Sequence, residues 1–190
     1  MAMLLLGCGD SSSTTAPEAE GGSADSPPVR SAGSFEPREH EDSGGGSRQF
    51  RIEGGDNSVQ EFGREASEAE MRAAGAALHG FFDARAAGDW AAACDYLARD
   101  FIRTVQQTTG GPGQDCAVLF EGLAEGVPRR ELREAAYANV GSLRTDGEGG
   151  FLIYRGLPRG TVYAIPVSSE GGSWKIAAQA GTVLYMAREK

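Results

Sequence analysis

The chain holds only two histidines, His40 and His79, three cysteines and two lysines in 190 residues. With so few imidazoles and no Cys-x-x-Cys spacing, the usual ligand sets of a zinc site are missing, and no metal or cofactor is expected. No glycine-rich stretch carries the lysine of a phosphate-binding loop, and there is no Gly-x-Ser-x-Gly nucleophile elbow. Bases are outnumbered by acids, 18 to 27, for a formal charge of −9. That sign disfavours nucleic acid, whose binding rests on neutralising phosphates. Long apolar runs are lacking too. The stretch from Met1 to Leu6 is far too short to span a bilayer.

What the N-terminus does contain is Leu4-Leu5-Leu6-Gly7-Cys8 followed by small polar residues. The pattern resembles a bacterial lipoprotein lipobox, in which an apolar stretch and a small residue precede the cysteine that receives diacylglycerol. The resemblance implies lipidation at Cys8 and a cell-membrane protein anchored on the extracytoplasmic face. No Lys or Arg precedes Cys8, and the apolar stretch falls short of the roughly 7–15 residues of a secretory signal. Residues 1–8 are therefore read as the remnant of a signal whose true start lies upstream; the alternative is a soluble protein with an apolar N-terminal stub.

Residues 9–49 read as a disordered tether. Ser11-Ser12-Ser13-Thr14-Thr15, Gly21-Gly22-Ser23, Pro27-Pro28 and Gly44-Gly45-Gly46-Ser47 supply almost nothing apolar to offset chain entropy. Such a leash has an end-to-end distance on the order of 40 Å. Residues 50–64 read as a lead-in segment, with Phe50, Ile52, Val59 and Phe62 as apolar anchors that would pack on the domain; the alternative is a linker with scattered apolar residues. Ser58-Val59-Gln60-Glu61 reads as a capping box, and Ser67-Glu68-Ala69-Glu70 as a second one opening the main helix.

Residues 65–190 suit one domain. Met71, Ala74, Leu78, Phe81, Phe82 and Arg85 share one side of a helix that Gly88 ends, and Asp89 caps the next. That second helix runs from Trp90 to Leu97 and extends toward Ile102. A third covers Cys116 to Leu123, and a further turn Pro128 to Ala136. Strands are predicted at 138–145, 151–155, 160–167, 173–180 and 182–187, separated by glycine-rich turns. Pro166, inside one of them, points to an edge or a bulge. Helices followed by antiparallel strands define an α+β class.

Within that order, Phe81-Phe82-Asp83-Ala84-Arg85-Ala86-Ala87-Gly88-Asp89-Trp90-Ala91-Ala92-Ala93-Cys94, together with Gly172-Ser173-Trp174-Lys175-Ile176, resembles the nuclear transport factor 2-like (SnoaL/ketosteroid-isomerase-like) superfamily. It looks like the actinobacterial-type lipoproteins that carry this domain. The resemblance implies a cone of helices packed on a curved antiparallel sheet. It says little of function, because that superfamily hosts isomerases, dehydratases, transport factors and inert accessory domains.

Cys94 and Cys116 stand on neighbouring predicted helices and suggest a disulfide in an oxidising compartment; the alternative is two buried free thiols. The best catalytic candidate is His79 with Asp83, spaced i,i+4 so that the two can touch. His79, however, points away from the apolar stripe, so a surface His–Asp pair is the simpler reading. Tyr96, Tyr137, Tyr154, Tyr163 and Tyr185 are possible pocket phenols, though packing is the default for each. Asp95 and Asp100 read as exposed or capping. Arg129, Arg130 and Arg133 form a small basic cluster, read as a solvated helix face. The predicted strands 151–155 and 160–167 carry no Asp or Glu, which departs from an isomerase-type site. The expected function is a non-enzymatic, lipid-anchored envelope domain that binds a protein partner or a small apolar ligand. An isomerase- or dehydratase-type enzyme and an inert structural domain are the alternatives, and oligomeric state stays open.

Overall fold

The structure, a computed structural model, describes His40 and residues 42–110 and 113–186. All of them belong to the unit spanning Gly33–Lys190. Cys8 and the tether as far as residue 39 lie outside the described residues.

The long first helix, α1 (Glu68–Ala87), begins where Ser67 accepts a hydrogen bond from the Glu70 amide while the Glu70 carboxylate receives the Ser67 amide, the expected capping box. Arg64 grips the same carboxylate from outside, at 2.6 Å, and this contact leads the ones that hold Glu70 down to a pKa of about 2. Its apolar side buries Ala74, Leu78, Phe81 and Phe82. Gly88 ends it at φ 79°, in the left-handed region that other residues adopt only at a cost. Asp89 then caps α2 (Trp90–Asp95) through its carboxylate on the Ala92 amide.

The second helix is shorter than expected. It stops at Asp95 because residues 96–98 leave the helix to pair with the last part of the sheet. The Ile176 amide donates to the Tyr96 carbonyl at 2.8 Å, and the Ala98 amide to the Ile176 carbonyl at 2.9 Å. A separate α3 (Arg99–Val105) follows, continued by a wider π turn at Gln106–Gly110. The residue before α3 is Ala98, which has no capping side chain; the Glu170 carboxylate accepts from the Arg99 amide instead. The remaining helices are α4 (Cys116–Ala124), capped by Asp115, and α5 (Arg129–Ala135).

Six strands form one antiparallel sheet: β1 (Arg64–Glu65), β2 (Asn139–Thr145), β3 (Gly149–Gly156), β4 (Thr161–Glu170), β5 (Ser173–Ile176) and β6 (Thr182–Met186). They pair in the order β1-β2-β3-β4-β5, while β6 shares with β5 the far side of β4. Pro166 thus lies in a central strand but not at a defect of it. β5 pairs with Val167 onward and β6 with Ala164 backward, so Pro166 occupies the gap between two half-length neighbours. Its carbonyl accepts from Ala177, and the donor it lacks faces the interrupted ladder. The predicted strand 173–180 ends at Ile176 for the same reason: residues 177–181 bend to carry the chain along β4.

Alternation along the sheet separates two cores. Val140, Leu143, Leu152, Tyr154, Ile165, Val167 and Ile176 face the helices and join the side of α1 already described. Ile153 and Val162 face the other way and meet Phe50, with Val59, Leu184 and Tyr185 around them. That second face is covered by the segment that precedes α1, which includes residues ahead of the predicted lead-in. Residues 42–49, expected to belong to the disordered tether, run along β2. Ser43 and Gly46 amides donate to the Val140 and Gly141 carbonyls at 3.0 and 3.2 Å, and a short 3-10 turn, Ser47–Phe50, delivers Phe50 into the sheet. Gly141 forms the bulge of β2 and leaves room for that ring: a Cβ there would stand 2.5 Å from Phe50 Cζ.

The lead-in is ordered, but not by the capping box read at Ser58. Asp56 instead accepts from the Ser58 amide, and the Asn57 side chain both accepts from and donates to the Ile52 backbone, closing a tight loop. The buried Gln60 amide donates to the Phe50 carbonyl at 3.0 Å. Glu65 ties this preceding segment, the strap (His40 and residues 42–63), to the sheet, accepting from the Ser47 amide and from the Ser142 hydroxyl.

Candidate functional site

Among the described residues, two of the places that gather chemically able side chains contain the candidate residues and their neighbours. The first is a cleft of about 650 Å³ between the end of α1, helix α5 with the loop before it, and the β3–β4 end of the sheet. Its walls are Phe82, Leu123, Val127, Leu132 and Ala135 on the helical side, and Tyr154, Leu157, Pro158 and Tyr163 on the sheet side. The Tyr154 and Tyr163 rings stack at 5.3 Å, and Phe82 sets its edge against Tyr154 at 5.9 Å. The Tyr163 hydroxyl is committed to the Leu157 carbonyl at 2.9 Å.

Arg85 enters this apolar wall. It is only 8% exposed, and its Nη1 donates to the Gln179 carbonyl at 2.7 Å. Its guanidinium lies over the faces of Phe81 and Phe82, at 5.1 and 5.9 Å. Burial pulls its pKa down, with the nearby Tyr154 oxygen opposing. Burial pushes the Tyr154 phenol upward, reinforced by Tyr163 and opposed by Arg85 and the Gly181 amide. The upward push keeps the phenol neutral at physiological pH, and a guanidinium is basic enough to stay charged even when burial disfavours it. This pair can bind and orient a ligand, but neither member is a proton acceptor.

The second place is a clasp between the strap and α1. Both histidines of the chain meet here, stacked with centroids 3.6 Å apart and planes 14° from parallel. Each bonds the carboxylate of the other's segment: His40 Nε2 reaches Asp83 at 3.3 Å, and His79 Nε2 reaches Asp42 at 3.0 Å. Asp42 also accepts from the Val140 amide at 2.9 Å. Burial alone would raise the Asp42 pKa, but the bonds from His79 and Val140 and the nearby imidazoles hold it below the ordinary carboxylate value. The expected His79–Asp83 contact is therefore not made, because each partner is taken by a strap residue. His79 is also buried rather than on the surface, since the strap covers the side of α1 that would otherwise be polar. His79 Nδ1 and Asp83 Oδ1 are buried with no hydrogen-bond partner among the described residues. Neither residue lines the cleft.

Cys94 and Cys116 are joined, with Cα atoms 6.2 Å apart, and fasten α2 to α4. Tyr154 and Tyr163 are the phenols that reach the cleft; Tyr185 packs against the strap, Tyr96 partly against the main core, and Tyr137 is exposed. Asp95 is exposed, and Asp100 pairs with Arg103 on the surface. Arg129, Arg130 and Arg133 stand on the solvated face of α5, Arg130 paired with Glu134. Among the described residues no group of three or more His, Cys, Asp or Glu is disposed to hold a metal ion. No helix among them is long and apolar enough to cross a membrane.

Sequence reasoning missed Arg85 as a cleft residue, although its place on the apolar side of α1 was the signal. Asp42 carried no signal, because nothing in a Gly/Ser-rich stretch marks which acid will meet a histidine far along the chain. No family model, no curated protein and no solved structure matches this chain.

Proposed function

We propose that this chain is a lipid-anchored envelope protein whose nuclear transport factor 2-like domain holds a small, largely apolar molecule without transforming it. The observation that carries the reading is the aromatic cleft. Its volume lies within the roughly 300–1,000 Å³ of small-molecule sites, and its lining is mostly apolar with a few convergent polar groups. Helices followed by an antiparallel sheet, and a cysteine pair at bonding distance, support the domain type and an oxidising compartment. Catalysis is the weaker reading, because the Tyr154 phenol keeps its proton, the Tyr163 hydroxyl is bonded to Leu157, Glu134 is paired with Arg130, and the His–Asp pairs are spent on the strap. The Cys8 anchor rests on the lipobox resemblance.

The test is mass analysis of the full chain taken from the membrane fraction of its native cells, first under native and then under denaturing conditions. The reading expects a non-covalent small-molecule adduct that is lost in Ala135→Trp, which fills the cleft. It also expects a diacylated Cys8 and a mass two hydrogens short for Cys94–Cys116. A soluble, unlipidated, reduced and ligand-free species contradicts it.

A further inference from the structure

We infer that the molecule held in this cleft carries a single carboxylate, received by the Arg85 guanidinium; the inference rests on the cleft being a ligand site. A charged group taken out of water is costly unless an opposite charge meets it. Arg85 is buried in the last turn of α1, where the helix end offers it a fraction of negative charge. Beyond that it has one carbonyl, from Gln179, the nearby Tyr154 oxygen and the faces of two phenylalanines, none of them a full negative charge. A guanidinium carries five N–H donors in a planar fork suited to a carboxylate. Among the described residues no acid stands within ion-pair distance of it, although two stand nearby on α5. Glu134 is engaged by Arg130 at 2.6 Å, and Glu131 is exposed at the rim. A carboxylate brought by a ligand supplies what the chain withholds, and the aromatic walls take the apolar remainder. The charge of the site limits the ligand further. With Glu134 held by Arg130, one uncompensated rim carboxylate, Glu131, stands near Arg85, so a doubly charged phosphate is repelled more strongly than a monoanion.

The experiment is calorimetric titration of the full chain at pH 7.5 with octanoate and with octan-1-ol, which share a chain and differ in the charged head. The wild type is expected to bind octanoate at least about tenfold more tightly than the alcohol, as a charge-assisted bidentate contact requires. Arg85→Met should remove that preference while leaving alcohol affinity within about threefold, and Arg85→Lys should restore only part of it. Glu131→Gln should strengthen octanoate binding and leave the alcohol unchanged, which keeps the test decisive if Arg85→Met does not fold. Equal binding of the two probes by the wild type overturns the carboxylate inference and leaves the cleft reading standing. Binding of neither overturns both.

Discussion

Replacing Phe50 by Ala removes the residue that seats the strap on the sheet. The ring is fully buried against Ile153 and Val162, and the Arg155 guanidinium lies over it at 4.6 Å. Phe→Ala at such a site costs about 3–5 kcal/mol, because the bulged backbone at Gly141 offers nothing to refill the space. The loss of the cation–π contact adds about 0.5–1 kcal/mol. Against a typical total of about 5–15 kcal/mol, that is enough to release the strap. Hydrogen exchange reads the release directly: the amides of Ser43 and Gly46, bonded to β2 in the wild type, should lose protection. Trypsin should cut Phe50→Ala after Arg48 and Arg51 well before the domain is degraded, and leave those two bonds of the wild type intact over the same time. Unchanged protection at Ser43 and Gly46 in Phe50→Ala, or rapid cutting at Arg48 in the wild type, would refute the docked strap.

Acid should loosen the same segment. The Asp42 pKa is lowered in the folded chain from an ordinary 3.8, so its contribution is present above that pH and is lost as pH falls through the lower, folded value. Protection of the Val140 amide measured by exchange should thus hold at pH 6 and disappear below pH 3.8 before the α1 amides follow. Reducing the Cys94–Cys116 bridge, which spans 22 positions, should cost roughly 3 kcal/mol in denaturant titration; no change on reduction would mean that the bridge does not form. Ser67→Ala should remove the cap of α1 and cost about 0.5–2 kcal/mol in the same titration, while leaving octanoate affinity unchanged.

Much of this architecture is legible in the chain, for local reasons. The Ser67 cap, the Gly88 stop and the Asp89 restart are short-range signals, each satisfying backbone groups within a few residues. The strands are announced by their turns at Gly147, Gly160 and Gly171. What could not be read depends on distant partners. Tyr96 to Ala98 follow a helical pattern, yet they pair with Ile176 because the sheet edge needs donors and acceptors more than α2 needs another turn. The strap looked featureless because its bonds are made by backbone and by Asp42, His40 and Glu65, none of which shows apolar periodicity. Helical periodicity puts Arg85 on the apolar side of α1, but only the packing shows that the apolar wall it joins is hollow.

The central claim is that the cleft beside Arg85 is where this protein binds. Two-dimensional NMR of the isotope-labelled chain titrated with octanoate tests it most directly. The account predicts shifts confined to Arg85, Tyr154, Gln179, Gly181 and the α5 residues around Ala135, with the Arg85 side-chain signal moving most. Shifts centred on the His40–Asp83 clasp or on α3, with the Arg85 signal unmoved, would contradict it.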